Sequence, residues 1–143
     1  MTLQTLLYNI SEYGISRKII NYSAAGSSIY ELNNQNVKNY PILFASPTGT
    51  HTVTKDTTTF SITLYYIDRL LADSSNDVEV FSSAMEVLKS IIVGIDNMDG
   101  VVGISDSYSV TNFTDTEVMS DRCAGAYATV DITVINDSIC EEI

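Results

Sequence analysis

Tryptophan is absent from this chain of 143 residues, and proline (2), cysteine (2), histidine (1) and basic side chains (7 Lys and Arg) are scarce. Each shortage excludes something. With His51 the only histidine, a Ser-His-Asp or Cys-His arrangement has one candidate for a base that titrates near neutral pH. That residue sits in the polar run Thr48-Gly49-Thr50-His51-Thr52, a poor place to hold a catalytic group rigidly, and reads as surface. Cys123 and Cys140 stand too far apart for a C-x-x-C redox or zinc half-site and read as reduced thiols. No apolar run approaches the roughly 20 residues of a spanning helix, and residues 1–10 lack the basic start and continuous apolar stretch of a signal peptide. The expectation is a soluble protein made in the cytoplasm, without a membrane partner.

The shortage of basic residues is uneven. Against 7 basic side chains stand 18 acidic ones, a net charge of −11. Residues 1–72 hold five bases and four acids, whereas residues 73–143 hold two bases and fourteen acids, so the imbalance belongs to the second half. Nucleic-acid affinity rests on Lys and Arg displacing phosphate counterions, and anionic membranes are met by basic amphipathic faces. This chain has one adjacent basic pair, Arg17-Lys18, so DNA or RNA as a ligand and an anionic membrane as a platform are both disfavoured.

Motifs that carry chemistry are missing as well. There is no G-x-x-x-x-G-K phosphate loop and no dinucleotide fingerprint after a strand. Asp96-Asn97-Met98-Asp99-Gly100 resembles a calcium loop only faintly, because glycine comes fifth and the twelfth position is Ser107. The pairs Asp115/Glu117 and Glu141/Glu142 fall in loop-like or terminal sequence, where acids are ordinarily solvated. The reading is a protein that is not an enzyme, with no cofactor and no metal.

What is present is enough apolar material, 45% of residues, for one domain over 1–143. Leu3, Leu6, Leu7, Ile10 and Tyr13 lie on one helical stripe, with Gly14 as its end. Residues 15–22 are open between a helical turn and a short strand, and 23–28 read as flexible. Ile29 to Leu32 and Tyr40 to Ala45 read as strands, the latter starting at Pro41 or lying at an edge. Phe60, Ile62, Leu64 and Tyr66 alternate with polar residues, the pattern of a strand with one buried face; Tyr65 then points to the opposite face, exposed or at an interface. Asn76 with Glu79 fits a capping arrangement before a helix of about five turns whose stripe is Val78, Phe81, Met85, Leu88, Ile92 and Ile95, closed near Gly94 to Gly100. Residues 104–111 and 126–134 alternate as an antiparallel hairpin. The expected fold is α+β: an antiparallel sheet of four to five strands with two helices on one face, in the order α-β-β-β-α-β-β.

Between these elements lies Ser46 to Thr59, with seven threonines and Val53 as its only large apolar residue. It is too polar for core and too rich in β-favouring threonine for a floppy linker, so it reads as a projecting Thr-rich β-arm or loop. Residues 136–143 form an acidic C-terminal tail.

The N-terminal amphipathic helix, Tyr40-Pro41-Ile42-Leu43-Phe44, the strand Phe60 to Ile67 running into Asp68-Arg69-Leu70, the stripe Phe81, Met85, Leu88 and Ile92, and Val130-Asp131-Ile132-Thr133-Val134 together give a pattern. It resembles the tail terminator or tail-completion proteins of tailed bacteriophages, which form rings between the head connector and the tail. The resemblance covers most of the chain as topology and pattern. It implies a virion protein: a homo-oligomeric ring, six-fold or twelve-fold, contacting neighbouring connector and tail proteins, with DNA passing through the lumen unbound. It implies interaction by the arm residues Thr48, His51, Thr52, Val53, Thr54 and Thr57, to which the strand pattern adds Tyr65; the charge split adds the hypothesis of an acidic lumen, with Asp115, Glu117 and Asp121 facing the channel. The competing expectation is a small acidic adaptor for a basic protein partner.

Overall fold

A computed structural model describes residues 1–26, 40–47, 49–70, 76–115 and 123–136, with the side chain of Asp115 excepted. The first helix, α1 (Leu3–Ser16), starts at Thr2, whose hydroxyl accepts from the Thr5 N–H at 3.1 Å. It runs past Gly14 and ends at Lys18, which takes φ 60°. Ile19 N–H then bonds to Gly14 O at 3.3 Å and Lys18 N–H to Ile15 O at 3.0 Å, closing the last carbonyls. Gly14 is inside the helix for packing: a Cβ there would lie 2.5 Å from Ile20 Cδ1.

Strands β1 (Tyr22–Ala25), β2 (Ile42–Ser46), β3 (Thr52–Val53) and β4 (Thr57–Arg69) follow, then helix α2 (Asp77–Asp96), then β5 (Val101–Ile104), β6 (Val110–Asp115) and β7 (Cys123–Ile135). The architecture is α+β, and among the described residues it has two helices and a seven-stranded sheet of path β1-β2-β4-β7-β5, β3 pairing with β4 and β6 with β7. The sheet is mixed, not wholly antiparallel, because β1 runs parallel to β2. It has seven strands where four to five were expected, in the order α-β-β-β-β-α-β-β-β. Three causes account for the difference. Thr52–Val53, expected only as part of an arm or loop, pairs with β4. Tyr22–Ala25 pairs through its backbone, which its Ser-Ala composition does not advertise, and the expected strand over 104–111 is split into β5 and β6. The expected strand over 29–32 and the residues 137–143 of the tail lie outside the described residues.

The frame is the pairing of β4 with β7, each 13 residues long and in register from Thr57↔Ile135 to Arg69↔Cys123. Each is flanked on its outer edge by two short strands in tandem: β2 and β3 along β4, β6 and β5 along β7. Alternation along the pair gives two unlike faces. One carries Phe60, Ile62, Leu64, Tyr66, Ala126, Ala128, Val130 and Ile132, buried in a single cluster with Leu6 and Ile10 of α1 and Val80, Ala84, Leu88 and Ile91 of α2. Fully burying each large side chain here contributes about 1.5–3 kcal/mol. The stripe of α2 that faces the sheet is Val80, Ala84, Leu88, Ile91 and Ile95, while Val78 and Met85, expected inside, are 72% and 40% exposed. The helix is apolar on both sides, and small Ala84 suits the side that must approach the strands. Gly94 does not close α2. It lies under the Tyr13 ring, where a Cβ would meet Cζ at 2.2 Å, so it is the point at which α1 and α2 touch. Asn76 is the N-cap of α2 by position, yet its side-chain amide donates to Arg69 O, and the helix starts without the expected side-chain cap.

Candidate interaction surface

The face of the β4–β7 pair turned away from the helices is graded along its length. At the Cys123 end Tyr65 is ringed by Phe44 (centroids 6.2 Å apart), Phe113 (6.4 Å) and Tyr127 (5.5 Å), over the buried side chains of Ile42, Ile67 and Cys123. Gly125 sits here because no side chain fits: a Cβ would lie 1.7 Å from Tyr66 O. Toward the other end the aromatics give way to hydroxyls, with Thr63 bonded to Thr129 at 2.8 Å and Thr59 to Thr133 at 2.9 Å across the strands. The buried thiol of Cys123 donates to Tyr40 Oη at 3.4 Å.

The tandem short strands leave a break on each side of the pair, and the breaks fall at one level. Ser61 and Asp131 face each other in the register, between β2 and β3 on one edge and between β6 and β5 on the other. Side chains take the place of the missing strand. Nδ1 of His51 accepts the Ser61 N–H at 3.3 Å, and the Ser105 hydroxyl accepts the Asp131 N–H at 2.8 Å while Ser105 N–H donates to Asp131 O at 3.0 Å. His51 is thus half-buried, set edge-on to Phe60 with centroids 5.3 Å apart. Sequence reasoning placed it on a polar surface; its actual role was hidden because the residue it serves lies on another strand.

Beyond this level β3 and β4 form a short hairpin. Thr54 N–H donates to Thr57 O at 2.8 Å and Thr57 N–H to the Thr54 hydroxyl at 3.1 Å. Asn136, just past β7, clamps the turn: its amide donates to Thr54 O at 2.9 Å and Lys55 O at 3.2 Å, its Oδ1 accepts from the Thr58 hydroxyl, and its N–H reaches Asp56 O at 2.9 Å. A Thr-rich segment is therefore held as an ordered β-structure, with Thr52 exposed and Val53 70% exposed at its outer strand. Near it Ile135 and the bulged Val102 are 52% and 59% exposed. No sequence pattern pointed to the Asn136 clamp.

Of the expected interaction residues, His51, Thr52, Val53, Thr54 and Thr57 come together in the hairpin region. Tyr65 does not join them, since eight residues of strand, about 26 Å at 3.3 Å each, separate it from Thr57. Thr48, Glu117 and Asp121 lie outside the described residues, as does the side chain of Asp115. Among the described residues no group of three His, Cys, Asp or Glu is placed to hold a metal ion, and no helix is long and apolar enough to cross a membrane. A depression of about 500 Å³ between β5 and β7, lined by Gly103, Ser105, Asp106, Asp131 and Thr133, lies open to solvent. No family model and no curated protein matches the chain.

Proposed function

We propose that this chain is a structural ring subunit of a bacteriophage neck, acting as tail terminator or tail-completion protein, and not an enzyme. The observation that carries the reading is the β3–β4 hairpin. A long threonine-rich segment with no core to fill is nevertheless fixed by Asn136 and His51 and presents Val53, 70% exposed, at its edge. Ordering such a segment costs about 1–2 kcal/mol per residue in backbone entropy, a cost that has a use when the segment meets a partner. In this proposal the hairpin is a projecting arm that reaches a neighbouring subunit or the channel, and the edge that β5 and β6 present among the described residues offers strand pairing. Such contacts are heterologous and close into a six-fold or twelve-fold ring between connector and tail proteins. The acidic half lets DNA pass through the lumen without sticking. An acidic adaptor for a basic protein is a second reading, favoured by the exposed Glu79, Glu86 and Asp96 of α2.

Sedimentation velocity over a range of concentrations tests the proposal. The chain is expected to form a discrete oligomer at high concentration, and Val53→Lys to lose it while changing unfolding free energy by no more than about 0.5 kcal/mol, as befits an exposed site. A chain that stays monomeric throughout, or a Val53→Lys variant that assembles like the parent, contradicts it.

A further inference from the structure

The outward stripe of α2 is unlike an ordinary solvated helix face. Val78, Met85 and Val93 are 72%, 40% and 59% exposed and recur at near-integral turns of the helix, with Glu79 and Glu86 on the adjoining row. A shallow groove of about 310 Å³ continues the stripe between Tyr13 and Glu86, Lys89, Ser90 and Val93. The N-terminal end of the stripe is wholly acidic, Asp77 and Glu79 flanking Val78, whereas Lys89 further along is bonded to Glu86 at 3.0 Å.

The complementary patch is on the same chain but at the opposite end of the helix pair. Ile15, Arg17 and Lys18 at the C-terminal corner of α1 are all exposed, an apolar side chain beside the chain's only adjacent basic pair. Arg17 lies over the Tyr13 ring at 5.1 Å, and neither Arg17 nor Lys18 forms an ion pair among the described residues. Exposed Glu12, one turn earlier, leaves the corner with a net positive charge. Tyr13 packs on Gly94, so this corner sits near the C-terminal part of its own α2, and Val78 is 16 residues back along the axis, about 24 Å away. The corner cannot reach the acidic end within one chain.

We propose that the basic corner of α1 docks on the acidic end of the α2 stripe of a second copy, Ile15 against Val78 and Arg17-Lys18 against Asp77 and Glu79. Two different patches on one subunit give a head-to-tail contact that can propagate, so the proposal rests on the ring reading and names one of its interfaces. For a chain of net charge −11, it places the few bases where a like-charged neighbour is most acidic.

The test is disulfide trapping of the full chain in a Cys140→Ser background. An intrachain bridge between positions 15 and 78 is ruled out by their separation, since bridged Cα atoms lie within about 7 Å. Mild oxidation of Ile15→Cys/Val78→Cys is expected to give a ladder of dimer, trimer and higher bands that neither single variant gives. Arg17→Glu/Lys18→Glu should cut the yield about tenfold, as should Asp77→Lys/Glu79→Lys, and mixing the two charge variants should restore it. Dimers without higher bands support the contact but make it reciprocal, which overturns the ring. An assembled protein that gives no bands overturns the contact and leaves the ring; a monomer without bands overturns both.

Discussion

The two faces of the β4–β7 pair are made by alternate residues of the same two strands, yet they differ in what holds them. On the helix side, Ile62, Leu64, Val130 and Ile132 are fully or almost fully buried, in one cluster with side chains of α1, β2 and α2. On the other side, threonine pairs and a tyrosine cluster are bonded within the sheet and remain half-exposed over much of their length. Most of the buried core therefore lies on one face, while the other has a smaller buried cluster, Ile42, Phe44, Ile67 and Cys123, at one end and open hydroxyl pairs over the rest. That division is what a subunit needs if it must fold first and assemble afterwards.

The comparison breaks first at Gly125. Its missing side chain belongs to the face without helices, but a Cβ there would press on the backbone oxygen of Tyr66 at 1.7 Å. Gly125→Ala is expected to cost more than about 4 kcal/mol, the range of strain and overpacking at their worst, or to prevent folding; chemical denaturation measures it. Next comes Leu88→Ala on α2, fully buried against the sheet, with an expected loss of about 2–5 kcal/mol by the same measurement.

Alkali offers a second probe of the helix side. Tyr66 is buried there, and burial, with Asp68 nearby adding to it, pushes its hydroxyl from the ordinary 10.0 up to about 12. The fold therefore binds this proton more tightly than the unfolded chain does. The stability it contributes is complete below pH 10 and is lost as pH rises toward about 12, by about 2 kcal/mol. Tyr66→Phe should flatten that part of the stability–pH curve, and a curve that keeps its slope would place the alkaline loss elsewhere. The smallest effect is expected on the open face: Thr63→Val with Thr129→Val removes both partners of an exposed hydroxyl pair and should shift stability by no more than about 1 kcal/mol. A loss approaching that of Leu88→Ala would mean that the two faces do not differ as described.

The elements that set this division were legible where one side-chain period dominates. The alternation of Phe60 to Tyr66 and of Ala126 to Val134 marks β4 and β7, and Leu6 with Ile10 marks α1, because these faces are buried on one side only. The phase of α2 was not legible, since Val78 and Met85 are as apolar as Val80 and Ala84, and only the sheet decides which row it accepts. Gly14 and Gly94 read as helix ends by their propensity, but each marks a close approach by another side chain, Ile20 on Gly14 and Tyr13 on Gly94. The short strand β1 is held by backbone pairing to β2, which leaves no trace in side-chain pattern. In the candidate surface, the threonines announced extended structure, but the His51 and Asn136 bonds that fix the hairpin join residues 10 to 82 positions apart.

Electron microscopy of the full chain at high concentration tests the central claim most directly. A subunit that folds on one face and assembles through its hairpin and helix corner should give closed rings of uniform diameter with six-fold or twelve-fold symmetry. Monomers alone, or open aggregates without a fixed diameter, would contradict it.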